Sequence, residues 1–301
     1  MFKEQIYTII ILENDRLVFL MSIYKYVISK KIVREPLRIV NKMILSCSNE
    51  KSFLHNFNET SSLEDILNLL KENNCEYVEL IEVSQLVFEE IINASSSFVE
   101  CIDLFNCNLE LASLEKCEKL KTIDIFHNQK MELIWNLCKN KNLSRLTIND
   151  CENIKDINGI INSSLVELVI KKGFKTVPDV LKISISDFNV FSSLSNLKKL
   201  TLFVSENEDK EKDLLALSKL TQLESLYLPR EYFTFEEFAW LNSKLKDTKY
   251  IDCIYYLAKD PANEKVVAMI IGKGEPAWLY DDGSDYKEYH DRYAEHIKKL
   301  K

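Results

Sequence analysis

The chain has 301 residues, and its 46% apolar content is enough to bury a sizeable hydrophobic core. A formal net charge of −8 lacks the basic footprint of a nucleic-acid-binding protein, and 5 glycines leave little room for a glycine-rich phosphate-binding loop. The sequence shows no apolar segment long enough to span a membrane. We therefore expect neither nucleic acid nor a membrane as a partner.

Residues 1–75 are predicted to form a mostly helical N-terminal cap. A helix is expected over residues 13–31, and MILSC at 43–47 is predicted to be an early strand. A second, amphipathic helix is expected to begin at Ser61 or Ser62, since serine is a favoured N-cap and two acidic residues follow in the first turn.

An aliphatic pattern recurs through residues 76–252. Its form is L-x-x-L-x-L-x-x-N/C, where L is any aliphatic residue, and the clearest unit is LSRLTINDCENIKDINGI at 143–160. Units begin at residues 78, 99, 120, 143 and 165, with further matches at 197 and 223. The alternating L-x-L part predicts a short strand with one buried face. Because one unit alone cannot bury that face, neighbouring units must stack.

Three stretches depart from the regular pattern. VLKISISDF at 180–188 is predicted to be a further strand, although it lies unusually close to the units on either side. DLLALSKL at 213–220 and FEEFAWLNSKL at 235–245 have apolar residues at helical spacing. The longer units of this part of the chain are therefore expected to contain α-helices.

Residues 253–301 are predicted to form a C-terminal cap, because stacked repeats need atypical ends that cover the open core. Two apolar segments flank residues 261–263, Pro-Ala-Asn, and predict a β-hairpin. A helix is expected over residues 282–300. Its apolar stripe consists of Tyr286, Tyr289, Tyr293 and Ile297.

Residues 76–252 resemble the leucine-rich repeat superfamily, in its short class of about 22 residues per repeat. The resemblance implies an α/β fold, a solenoid or horseshoe with parallel strands on its concave side. It also implies a non-enzymatic module that binds a partner protein on the concave face. One specific form is an inhibitor or immunity-type protein that blocks a toxic enzyme, and the acidic chain would suit a basic partner.

The strand positions between the buried ones carry side chains that suggest where such a partner binds. VECIDLFNC at 99–107 and LKTIDIFHN at 120–128 both place Asp and Phe on the face opposite the buried aliphatic residues. Exposed acidic groups would steer a cationic partner, and aromatic side chains would become buried contacts. The candidate partner-binding residues are Glu82, Asp103, Phe105, Asp124, Phe126, His127, Phe203 and Tyr227.

Other interpretations of the same residues stay open. The carboxylates could extend into water while the phenylalanines pack on one another, without any partner. The repeats could recruit a substrate for an activity carried by a terminal segment. The chain, which we expect to be a monomer, could instead self-associate through its tyrosine-rich C-terminal segment.

Motifs of catalysis and metal binding are missing from the sequence. None of its 8 cysteines forms a CxxC pair, and its 4 histidines lack zinc-finger spacing. His290 and Asp291 do not share a helix face with His296, so joint metal ligation is disfavoured. We expect no enzymatic activity, no metal and no cofactor. Free thiols, and an apolar N-terminal run at 6–12 without a small-residue cleavage site, predict a cytoplasmic location.

Overall fold

The computed structural model describes residues 10–13, 16–19, 42–46, 63–154, 156–172, 188–204, 209–245, 248–249, 251, 254–259, 266–275, 279–281 and 285–299. The strands are Ile10–Glu13 (β1), Arg16–Phe19 (β2), Lys42–Ser46 (β3), Tyr77–Ile81 (β4), Cys101–Phe105 (β5), Thr122–Phe126 (β6), Arg145–Asn149 (β7), Glu167–Lys171 (β8), Lys199–Leu202 (β9), Ser225–Tyr227 (β10), Ile254–Lys259 (β11), Val266–Ile270 (β12) and Leu279–Asp281 (β13). The α-helices are Leu63–Asn73 (α1), Gln85–Ser95 (α2), Lys210–Ser218 (α3), Phe235–Lys244 (α4) and Asp285–Lys299 (α5). The predicted α/β class is confirmed.

One eight-stranded sheet organises the central part of the chain, in the order β10-β9-β8-β7-β6-β5-β4-β3. The seven strands from β4 to β10 are parallel, and β3 pairs antiparallel with β4 at one edge. Ile102 pairs with Ile123, Ile123 with Leu146, and Leu146 with Leu168. Equivalent residues of successive units therefore lie side by side, as the spacing of the units from 99 to 165 predicts.

The apolar residues of the repeated pattern form the core. Ile102, Leu104, Ile123 and Ile125 are all fully buried, as predicted, and they belong to one hydrophobic cluster with the connections between the strands. Burial of each such side chain contributes about 1.5–3 kcal/mol. The connections from β5 to β8 are short 3-10 helices rather than α-helices, at Ala112–Lys116, Leu137–Lys139 and Asn158–Ile160.

The same turn follows each of the strands β4 to β7. Glu82, Asn106, His127 and Asp150 come directly after these strands, and their φ angles are all between 51° and 56°. Non-glycine residues adopt this left-handed conformation rarely, and Asn, Asp and His most readily. The backbone N–H of each donates to the last residue of the next strand, for example His127 N to Asn149 O at 2.8 Å. Each turn thus joins one unit to the next.

Side chains in the Asn or Cys slot of the pattern satisfy backbone groups at these turns. Asn128 is fully buried; its Nδ2 donates to Leu109 O at 2.9 Å and its Oδ1 accepts from Leu109 N at 3.1 Å. Cys107 occupies the same slot one unit earlier, and its Sγ lies 3.4 Å from Leu80 O. A buried backbone group without a partner is costly, so these contacts stabilise the stacking of units.

The first unit lies three residues away from its predicted alignment. The sequence pattern equates Val78 with Val99, but in the sheet Val78 pairs with Ile102 and Glu79 pairs with Asp103. The pattern would place Glu82 beside Asp103, and this alignment is wrong because Glu79 occupies that position. The apolar residues of this segment fit the template in either alignment, and the longer connection through α2 takes up the difference.

The N-terminal prediction is correct only in part. The helix near Ser62 is confirmed as α1, and MILSC lies largely within β3. The helix predicted over residues 13–31 is wrong for the described residues of that range, because Arg16–Phe19 form the strand β2, which pairs antiparallel with β1. The rest of that range lies outside the described residues. Asn14-Asp15 between two apolar runs is a hairpin signal. The described residues of 1–75 form three strands and one helix, and the rest of the predicted helical cap lies outside the described residues.

The C-terminal predictions are largely confirmed. The two helices of the longer units are α3 and α4, the terminal helix is α5, and the hairpin consists of antiparallel β11 and β12. A third strand, β13, pairs with β12 and was not predicted, because three residues are too few to show a pattern. The strand predicted at 180–188 lies outside the described residues up to Phe188, which begins a 3-10 helix.

Candidate partner-binding face

The strand residues between the buried ones form rows on the other face of the sheet, which we call the polar face. Each row takes one residue from each strand. The first row consists of Tyr77, Cys101, Thr122, Arg145, Glu167, Lys199 and Ser225. The middle row consists of Glu79, Asp103, Asp124, Thr147, Val169, Thr201 and Tyr227, and the third row of Ile81, Phe105, Phe126, Asn149 and Lys171. Neighbouring members of a row are about 4.8 Å apart, because this is the spacing of paired strands.

Three carboxylates, Glu79, Asp103 and Asp124, follow one another in the middle row. Asp103 and Asp124 were expected to be exposed, and that expectation is wrong: the exposed fractions of Glu79, Asp103 and Asp124 are 2%, 7% and 6%. Two long side chains of the first row, Tyr77 and Arg145, stand beside them. A buried carboxylate is costly unless it is bonded or neutralised, so the partners of this acidic row decide its chemistry.

Tyr77 connects two of the carboxylates. Its Oη lies 2.7 Å from Asp103 Oδ2 and 3.1 Å from Glu79 Oε2. Burial raises the pKa of Asp103 to about 7, and the charges of Asp124 and Glu79 add to this effect. Burial likewise raises the pKa of Glu79 above its ordinary value. Burial and the two carboxylates together raise the pKa of Tyr77, so its hydroxyl keeps its proton.

Arg145 neutralises the third carboxylate. Its Nη2 lies 2.6 Å from Asp124 Oδ2, across adjacent strands. Asp124 Oδ1 and Arg145 Nε are also buried, but neither has a hydrogen-bond partner among the described residues. The pair therefore keeps unused hydrogen-bonding capacity on each side.

Asn149 continues this unpaired region into the third row. Its side chain is fully buried, and neither Oδ1 nor Nδ2 has a partner among the described residues. In the sheet it pairs with Phe126 on one side and with Lys171 on the other. Burial lowers the pKa of Lys171. Sequence reasoning did not select Asn149 or Arg145, although both occupy rows that the repeat spacing defines.

The predicted aromatic neighbours are together on the polar face. The rings of Phe105 and Phe126 stack, with centroids 4.6 Å apart and an interplanar angle of 4°. Phe203 follows β9, and its ring centroid is 5.8 Å from that of Tyr227. Phe126 and Phe203 are buried, whereas Phe105 and Tyr227 are half-buried. Of the four aromatic candidates, Phe105 and Tyr227 thus offer the most surface to a partner.

Two candidates lie in turns rather than on the strands. Glu82 Oε1 accepts a hydrogen bond from Asn106 Nδ2 at 2.6 Å, at the edge of the face. His127 is exposed, with the left-handed backbone described above. The sequence analysis did not select Glu79 or Tyr77 as candidates. The pattern places the strand of the first unit three residues too late, and a strand predicted at 77–81 would have included both residues.

A separate cavity of about 440 Å³ lies among α3, α4 and α5, lined by Leu214, Leu215, Glu236, Trp240, His296 and Lys299 among others.

Across the described ranges, no group of three or more His, Cys, Asp or Glu residues is placed to hold a metal ion. None of the described helices combines the length and the apolar character that a bilayer crossing requires.

Comparisons with known proteins add no family to this description. No protein-family model matches the chain, and a search among curated proteins finds no match. Function is therefore inferred from the geometry of the chain itself.

Proposed function

We propose that the chain is a non-enzymatic protein-interaction module whose polar face binds a partner protein. The observation that carries this proposal is a group of four buried, unpaired polar atoms on two adjacent strands: Asp124 Oδ1, Arg145 Nε, and both amide atoms of Asn149. More than nine in ten buried polar groups in proteins have a partner. A bound chain that rearranged the overlying side chains would supply hydrogen bonds that these atoms lack among the described residues.

The aromatic side chains would supply apolar contact for the same partner. Phe105 and Tyr227 are half-buried, and each is held by a neighbouring ring, so little side-chain entropy is lost when a partner covers them. The buried rings of Phe126 and Phe203 stand beside these two rings and support them. Of the eight candidate residues, Phe105 and Tyr227 would contact the partner, and Glu82 and His127 lie at the rim of the polar face. The other four are buried supports: Asp103, Asp124, Phe126 and Phe203.

We also propose that the repeated units form a solenoid of the leucine-rich repeat type, with the polar face as its concave side. The in-register pairing of equivalent residues, the repeated left-handed turn and the Asn128 and Cys107 bonds support this. The net charge of −8 supports a basic partner, and an inhibitor or immunity-type role would fit such a pair.

The test is partner capture from the native host, followed by affinity measurement with the purified partner. Charge reversal of Asp103 or Asp124 is unsuitable, because both are buried and the variants would unfold. Phe105→Ala and Tyr227→Ala are better, with Leu86→Ser as control, since Leu86 is 70% exposed on α2. We expect either aromatic change to weaken binding about tenfold or more, and the control to leave it unchanged. Equal binding by all three folded variants would contradict the proposal.

A further inference from the structure

The hydroxyl of Tyr77 can donate both of its hydrogen bonds only as one weaker bifurcated bond. A phenol has one O–H hydrogen, yet Tyr77 Oη lies within bonding distance of Asp103 Oδ2, at 2.7 Å, and of Glu79 Oε2, at 3.1 Å. If both carboxyl groups were ionised, their two oxygens would have to share this single hydrogen. A second proton, on either carboxyl, completes both bonds, because the phenol oxygen then accepts one and donates the other.

The charges around this cluster favour a retained proton. Asp124 stands on the far side of Asp103, and Arg145 is bonded to Asp124, so its charge lowers the pKa of Asp103 less than the charge of Asp124 or of Glu79 raises it. At the other edge, β3 places Ile44 opposite Glu79 and Ser46 opposite Tyr77, so neither position brings a cation. The titratable or charged residues at the neighbouring sheet positions of β3 to β7 are Lys42 (paired with Ile81), Cys101, Asp124 and Arg145.

We propose that Glu79, Tyr77 and Asp103 share one extra proton in the folded protein at neutral pH and release it in mildly alkaline solution. The proton sits between one carboxyl and the phenol oxygen, while the phenol hydrogen is donated to the other carboxylate. The two carboxyl groups then carry one negative charge together instead of two. This is a property of the free protein and holds whether or not the polar face binds a partner.

The direction of the resulting pH dependence follows from linkage. Burial raises the pKa of Asp103 to about 7, whereas the pKa of an Asp in the unfolded chain is about 4. Between these values the folded state binds more protons than the unfolded chain. The folding equilibrium constant therefore falls as pH rises from about 4 to about 7, and the loss is complete above that range.

The experiment is a carboxyl titration of the full chain by NMR, with 13C at the side-chain carboxyl carbons of Asp and Glu. We expect at least one carboxyl to titrate between about pH 6 and 8, and this signal to be absent or shifted in Asp103→Asn. A wild-type spectrum in which every carboxyl titrates below about pH 5 would overturn the proposal. That overturning outcome is measured on the wild-type protein alone.

A second arm measures urea unfolding at about pH 5.5 and about pH 8. We expect the wild-type folding constant to be at least about tenfold larger at the lower pH, from this cluster. Asp103→Asn imitates the protonated carboxyl and should reduce this ratio, whereas Glu118→Gln, an exposed carboxyl in a turn, should leave it unchanged. Equal ratios for wild type and Asp103→Asn would overturn the assignment.

Discussion

Arg145 Nη2 lies 2.6 Å from Asp124 Oδ2, and this bond joins the strands β6 and β7 across the polar face. Asp124 is buried, whereas the Arg145 side chain is 43% exposed, so the pair protects a carboxylate with a cation that is partly in water. Removing the arginine leaves a buried charge without its counterion, which costs more than an exposed pair is worth.

Arg145→Met should therefore destabilise the protein by about 1–3 kcal/mol, as measured by urea denaturation. Lys121→Met is the matched control, because Lys121 pairs with Glu100 at 2.5 Å across neighbouring units but both side chains are more exposed. We expect that control to show no measurable change. Adding Asp124→Asn to Arg145→Met should restore part of the loss. Equal stabilities for Arg145→Met and Lys121→Met would show that the buried carboxylate needs no counterion.

Asn140 makes a second testable connection between units. It is fully buried; its Oδ1 accepts from Trp135 Nε1 at 2.9 Å, and its Nδ2 donates to Leu114 O at 2.7 Å and to Cys117 O at 3.0 Å. Asn140→Ala leaves these buried groups unpaired and should cost about 2–4 kcal/mol in thermal or urea unfolding. It should also change the fluorescence of Trp135.

Asn142 provides the control for that measurement. It lies two residues away, is exposed, and donates one hydrogen bond to Glu118 O at 2.8 Å. Water can replace this bond, so Asn142→Ala should cost less than about 1 kcal/mol. A similar loss for both variants would mean that burial of the Asn140 amide does not govern its contribution.

The alternation of apolar residues was sufficient to predict the sheet but not its exact alignment. A strand directs Ile102 and Leu104 to one face, and likewise Ile123 and Ile125. Both segments are strands, and all four side chains are buried. At the first unit, Val78 with Leu80 and Ile81 with Val83 are both apolar pairs at the right spacing. Only pairing with β5 selects the first pair, and a local sequence pattern does not determine which strands pair over a long range.

The candidate site was predicted less well than the fold, for a physical reason. Alternation indicates that Asp103 and Asp124 share a face, but it does not indicate how densely that face is packed. Tyr77 and Arg145 reach these carboxylates from the first row, and the carboxylates that they bond are buried rather than exposed. The direction and reach of side chains across strands must be known before such burial can be predicted.

Gly159 lies where the backbones of two units come into close contact. A Cβ at this position would be 2.1 Å from Ile134 O and 2.2 Å from Trp135 O, which are backbone atoms that cannot move aside freely. Gly159→Ala should therefore destabilise the fold by about 3 kcal/mol or more, as measured by thermal unfolding. Gly274→Ala is the control: its φ of 84° causes strain of about 1–2 kcal/mol, but nothing lies within 4 Å of the added carbon. A smaller loss at Gly159 than at Gly274 would contradict the close approach.

The cysteines should differ in reactivity according to burial. Cys138 is exposed, whereas Cys117 and Cys151 are buried, and burial raises the pKa of each buried thiol to about 12. The thiolate is the reactive form, so at about pH 8 the two buried residues have almost none. Alkylation of the folded protein, followed by peptide mass spectrometry, should modify Cys138 at least about a hundredfold faster than Cys151. In denaturant the rates should converge, and a persistent difference there would show that local sequence rather than burial protects Cys151.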